Sequence, residues 1–177
     1  MMWLSVKFFL LLLVVAKSTK TRFTNVECEM LDPLYATFKE CKLKILGRGI
    51  VGLNVYATLN QGPFKTAKVN VCVWRKFNGY RPFLFNTTFD FCKFMDKSKE
   101  KLSYIRLILN AISESSNLNH SCPYEHSIIV RDLVLKEEFF KLAPIPSGQY
   151  KIQIMAATNN QWKVNINIHG FVGDLKK

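Results

Sequence analysis

Residues 69–94 read VNVCVWRKFNGYRPFLFNTTFDFCKF, and this stretch decides the fold. β-branched and aromatic residues flank Asn78-Gly79 on both sides, the pattern of a β-hairpin closed by a type I′ turn. With Asn78 and Gly79 as the two loop residues, Phe77 faces Tyr80, Trp74 faces Phe83 and Cys72 faces Phe85; a four-residue loop keeps the same pairing. Side chains alternate along a strand, so Phe83, Phe85, Phe89 and Phe91 share one face, and Leu84, Asn86, Thr88, Asp90 and Cys92 share the other. Four phenylalanines on one face demand burial. Asn86-Thr87-Thr88 is an N-glycosylation acceptor, and a glycan needs water, so it independently turns the Asn86 face outward.

Outward from this hairpin the same period of two recurs. Residues 22–30 (RFTNVECEM) place Val26, Cys28 and Met30 on one face. Residues 35–46 set Cys41, Leu43 and Ile45 against Glu40, Lys42 and Lys44, and Gly47-Arg48-Gly49 then turns the chain into a strand with Val51, Leu53, Val55, Ala57 and Leu59 inward. Residues 128–135 form a sixth strand. A seventh alternates Tyr150, Ile152, Ile154 and Ala156 with Lys151, Gln153 and Met155, and Asn159-Asn160 turns into an eighth with Trp162, Val164, Ile166 and Ile168 inward. Only after strand five does the period change. Leu102, Ile105, Ile108 or Leu109, and Ile112 recur at helical spacing, with Asp96 or Ser98 as cap, so one short amphipathic helix is expected there. Residues 136–142 read equally as loop or helical turn. About eight half-buried strands joined by short turns predict an all-β, antiparallel β-sandwich; a closed barrel is the competing arrangement.

The chain has 177 residues, 49% hydrophobic content and a formal charge of +12. That length suits one domain after a leader is removed. Residues 1–16 (MMWLSVKFFLLLLVVA) have one lysine, an apolar run and a small-residue cleavage site, the form of a secretory signal peptide. The run is shorter than the ~20 apolar residues of a membrane span, so a secreted, extracellular domain over residues 17–177 with no transmembrane segment is expected. The lysines are dispersed without long runs, which speaks for a solvated surface and against nucleic acid.

An oxidising compartment favours disulfides, and five cysteines leave one over. The hairpin register nominates Cys72 as the free, inward thiol. Cys28 with Cys41 and Cys92 with Cys122 are the favoured pairs, although sequence leaves other connectivities open. Asn119-His120-Ser121 is a second sequon, so Asn86 and Asn119 are the expected glycan carriers. The cluster His120, Glu125 and His126 matches no metal-ligand spacing, and no nucleophile elbow or phosphate loop is present. No cofactor, metal site or catalytic residue is therefore assigned, and the chain is read as a non-enzyme. What remains is 14 phenylalanines on the strands of a small domain. They serve either a filled core or an apolar cavity between splayed sheets. For the cavity, Leu53, Trp74, Phe83, Phe85, Ile152, Ile154, Val164 and Ile166 are the candidate ligand-binding residues, because they face inward.

WRKFNGYRPFLFN (residues 74–86), DFCKF (90–94), NHSCPY (119–124), FTNVEC (23–28) and PSGQY (146–150) resemble a large insect family of secreted proteins catalogued as a domain of unknown function and expanded in flies. That family is similar to fly chemosensory-bristle proteins and, more distantly, to the ML lipid-recognition domains of sterol-transfer proteins, ganglioside activators and innate-immune co-receptors. The resemblance implies an immunoglobulin-like sandwich holding lipid between its sheets, with four shared cysteines at Cys28, Cys41, Cys92 and Cys122. Cys72 departs from that pattern. No cysteine follows Cys122, whereas ML domains often tie their first strand to the C-terminal region, so their pocket residues are not carried over. The expected function is binding of a hydrophobic small molecule or lipid, with chemosensation as the implied setting. The alternative is a co-receptor with a filled core that meets a receptor protein through its basic surface.

Overall fold

The computed structural model describes residues 21–96, 104–125, 127–140 and 145–173. The signal-peptide assignment, Ser98, Leu102 and His126 lie outside them. Among the described residues eight strands form: β1 (Arg22–Met30), β2 (Ala36–Gly47), β3 (Ile50–Leu59), β4 (Lys68–Lys76), β5 (Tyr80–Asp90), β6 (Ser127–Val134), β7 (Gly148–Thr158) and β8 (Gln161–Val172). A five-stranded antiparallel sheet in the order β1-β8-β7-β4-β5 packs on a three-stranded one in the order β2-β3-β6. The protein is thus an all-β sandwich and not a closed barrel. Among the described residues two short helices follow β5, α1 (Phe91–Asp96) and α2 (Tyr104–Ser113), and Glu137–Phe140 is a 3₁₀ turn. α2 is the amphipathic helix expected from Ile105, Ile108, Leu109 and Ile112. α1 was not expected: Phe91 and Cys92 leave the strand and are buried at its start.

The hairpin forms, but its register differs from the expected one. Lys76 pairs with Tyr80, Arg75 with Arg81 and Trp74 with Pro82, so the loop is the three residues Phe77, Asn78 and Gly79. It is closed by Phe77 N donating to the Gly79 carbonyl at 2.8 Å. Beyond Trp74 the pairing shifts, and Cys72 meets Asn86. The three residues Phe83, Leu84 and Phe85 therefore stand opposite Val73 alone, a bulge with Leu84 in the left-handed region at φ 66°. Because the bulge adds two residues, it preserves the alternation of β5. Phe83 and Phe85 both flank Val73 on the inner face, as expected.

The same shift moves β4. Paired residues lie on one face, so Trp74, opposite Pro82 and Lys151, and Cys72, opposite Asn86 and Gln153, stand on the outer face of the larger sheet. Both were expected inward. Cys72 is nonetheless only 2% exposed. Its thiol is pushed up by burial, against the opposing pull of Lys151. Alkylation of the native protein by iodoacetamide is expected to spare Cys72, with labelling only in denaturant; fast labelling of the native chain would contradict the placement.

Three further residues depart from simple alternation. The register of β7 and β8 shifts between Ala156 and Ala157, which exposes Trp162 and buries Lys163 instead. Lys163 Nζ is held by Asp32 Oδ2 at 2.6 Å and by Gln161 Oε1 at 2.8 Å. Ile45 has inward parity but is 82% exposed, because the β2–β3 hairpin overhangs the end of the sandwich.

Among the described residues the interior divides into three apolar clusters. Phe23, Leu53, Val55 and Leu133 pack between β1, β3 and β6. Ala67, Val71, Phe91, Cys92, Ile105, Leu109 and Tyr124 lie beneath the helices. Val73, Tyr150 and Val172 close the end where the chain enters β7. Both expected disulfides are formed. Cys28–Cys41 ties β1 to β2, and so one sheet to the other, and Cys92–Cys122 ties α1 to the segment that precedes β6. Cys72 is the free cysteine.

Candidate ligand-binding face between the sheets

The inner face of the larger sheet follows from its ladder. Ile154 pairs with Val71 on β4 and with Ile166 on β8; Ile152 pairs with Val73 and Ile168; Val164 pairs with Ala156 and Met30. With Phe83 and Phe85 from β5 and Leu53 from the facing sheet, seven of the eight nominated residues share the inter-sheet space. Trp74 does not. Leu53 is fully buried, whereas Phe83, Phe85, Ile152, Ile154, Val164 and Ile166 are only half-buried although they face inward. Phe83, Phe85, Ile152 and Ile166 pack at the margins of the buried clusters and keep partial exposure. Among the described residues, Ile154 and Val164 belong to none of the three clusters.

At the β4–β5 end a polar group that sequence reasoning missed, Arg75, adjoins this face. Arg75 pairs with Tyr150 on the inner side, and its guanidinium stands 5.0, 5.7 and 5.9 Å from the rings of Phe77, Phe83 and Tyr150. Its Nη2 donates to the Ser147 carbonyl at 3.1 Å. Aromatic faces attract a cation, which anchors Arg75 at the edge of the apolar surface. Tyr150 donates its hydroxyl to the Pro146 carbonyl at 2.6 Å; burial pushes its phenol up, and Arg75 opposes that shift. Inward parity of Arg75 between Val73 and the loop was the only available signal, and the two-residue loop hid it.

The outer face of the same sheet is polar and aromatic. Lys151 Nζ lies 4.9 Å from the Trp74 ring and 5.3 Å from that of Tyr80, whose hydroxyl bonds His169 Nδ1 at 3.1 Å. Burial holds His169 below its usual range, with Glu27 pulling up and Lys151 down. Asn86 is exposed on this face, where Asn70 Nδ2 donates to its Oδ1 at 2.8 Å. Asn119 is exposed in the loop after α2. Both sequons are thus open to solvent.

His120 stacks on Tyr124 with ring centres 4.2 Å apart. Among the described residues, no group of three His, Cys, Asp or Glu could hold a metal ion. A separate groove of about 400 Å³ at the opposite end is lined by Tyr35, Gln61, Phe64, Lys65, Thr158 and Asn159, and includes none of the nominated residues. No described helix is long and apolar enough to cross a membrane.

No curated protein matches the sequence. Residues 69–152, from β4 through both helices and β6 into β7, are similar to a family described as "Protein of unknown function (DUF1091)".

Proposed function

We propose that this chain is a secreted, non-catalytic binding protein that holds a hydrophobic small molecule or lipid between its two sheets. The observation that carries the proposal is the half-buried state of inward apolar side chains on β5, β7 and β8, which a filled core would seal. Two disulfides suit an oxidising, extracellular setting. Solvent-exposed sequons suit glycosylation there, and the resemblance to lipid-binding sandwiches points the same way. Ten methylenes of a lipid tail buried on this face would contribute at most about 8 kcal/mol before association costs, enough for micromolar binding without polar recognition.

The test is to express the chain in insect cells, extract the folded protein with solvent and identify the extract by mass spectrometry. A stoichiometric apolar molecule is expected. Ile154→Trp, which fills the space between β4 and β8, is expected to reduce its recovery at least tenfold, while Lys42→Ala on the outer surface leaves recovery unchanged; tenfold is about 1.4 kcal/mol. An empty extract, with an apolar fluorescent probe also failing to bind, would mean a closed core and an interaction protein acting through its basic surface.

A further inference from the structure

Two hairpin tips leave the sandwich at one end. β3 runs from the β2–β3 tip to the far end, residues 60–67 cross there, and β4 runs back, so the β4–β5 loop emerges at the same end as the β2–β3 tip. Both tips expose large apolar side chains. Ile45 is 82% exposed, with Leu46 and Ile50 also exposed beside it, and Phe77 on the second tip is 55% exposed. Both tips are also purely basic. Residues 44–50 (KILGRGI) and 76–81 (KFNGYR) each contain two cations and no carboxylate. Lys44 faces Asp132 at 3.8 Å, a half-exposed pair of little strength, and Arg48, Lys76 and Arg81 make no ion pair among the described residues.

Large apolar groups held in water on protruding tips mark a contact surface. A stable protein partner takes up about 800 Å² of continuous complementary surface on each side. A lipid surface accepts separated points of insertion, takes up the aliphatic and phenyl side chains at its acyl boundary, and meets the flanking cations with anionic headgroups. We propose that the tips at residues 44–50 and 76–81 dock this protein onto membranes that carry anionic lipid. The tips act without a ligand between the sheets, so this inference stands apart from the carrier reading.

The experiment is co-sedimentation of the purified protein with phosphatidylcholine vesicles and with vesicles containing added phosphatidylserine. Binding is expected to the second and to fall with salt. Each juxtamembrane cation is worth about 1 kcal/mol, or about fivefold. Lys44→Gln, Arg48→Gln, Lys76→Gln and Arg81→Gln together are therefore expected to weaken binding more than about a hundredfold. Ile45→Asp with Phe77→Asp is expected to weaken it at least tenfold. The charge variants and Ile45→Asp alone, at exposed sites, should keep the parent melting temperature, whereas Phe77→Asp also removes a ring that faces Arg75 at 5.0 Å. Leu34→Asp, also at an exposed apolar residue but at the opposite end, should bind as the parent does. Failure to bind phosphatidylserine vesicles would overturn the proposal, as would equal loss in Leu34→Asp. A concentration-dependent dimer abolished by Ile45→Asp, without vesicle binding, would reassign the tips to a second copy of the chain.

Discussion

Replacing Tyr124 with alanine is expected to destabilise the protein by about 3 to 5 kcal/mol, the cost of deleting a large aromatic side chain from a packed core. Tyr124 is 1% exposed and is the hub of the cluster beneath the helices. Its ring lies 5.4 Å from that of Phe64, 5.7 Å from Phe91 and 4.2 Å from His120, and its hydroxyl donates to the His120 carbonyl. Its backbone also bridges to Phe64 in both directions. One residue therefore joins the β3–β4 connection, α1 and the loop before β6. Against a typical stability of about 5 to 15 kcal/mol, the loss is a large fraction. Tyr124→Phe separates the terms: it keeps the packing and removes one hydrogen bond, for about 1 kcal/mol. Urea unfolding of both variants reads the difference. A loss below about 1 kcal/mol for Tyr124→Ala would mean that the helical region does not unfold with the sandwich.

Removing the Cys92–Cys122 disulfide by paired alanine substitution is expected to cost about 3 to 4 kcal/mol, the chain-entropy value for a loop of its size. The separation of 30 residues encloses both helices. The link fixes the start of α1 against the segment carrying Tyr124, so the amides of α2 should also exchange faster in the variant while those of β7 and β8 keep their protection. Uniform acceleration across all strands would instead show that the link acts on the whole domain. Cys122 and Tyr124 are neighbours, so their combined loss should not equal the sum of the single effects. The Cys28–Cys41 link closes only 13 residues and should contribute somewhat less, about 3 kcal/mol.

The candidate face was mostly legible from residue order. Phe83, Phe85, Ile152, Ile154, Val164 and Ile166 face inward because alternation belongs to each strand and survives an error in pairing. The cysteine pairs were legible too, since Cys28 and Cys41 sit on successive strands and Cys92 and Cys122 bracket the helical excursion. Trp74 and Cys72 were misplaced for one reason. Their faces were inferred through the hairpin loop, and a loop of three residues instead of two reverses every assignment on the partner strand. Arg75 was hidden by the same step. Lys163 was hidden because a bulge between β7 and β8 is decided by packing across the sheet, where Asp32 and Gln161 supply partners for a buried ammonium.

By itself the sequence determined eight strands, the turn positions, α2, an apolar face along each strand and the cysteines available for pairing, because periodicity and turn chemistry act over a few neighbouring residues. Only the tertiary structure decided the division into five and three strands, the bulge opposite Val73, the outward turn of Trp74 and Cys72, and the overhang that exposes Ile45. Each of these depends on how distant strands fit, through ladder register and sheet width, and no local pattern of residues encodes that fit.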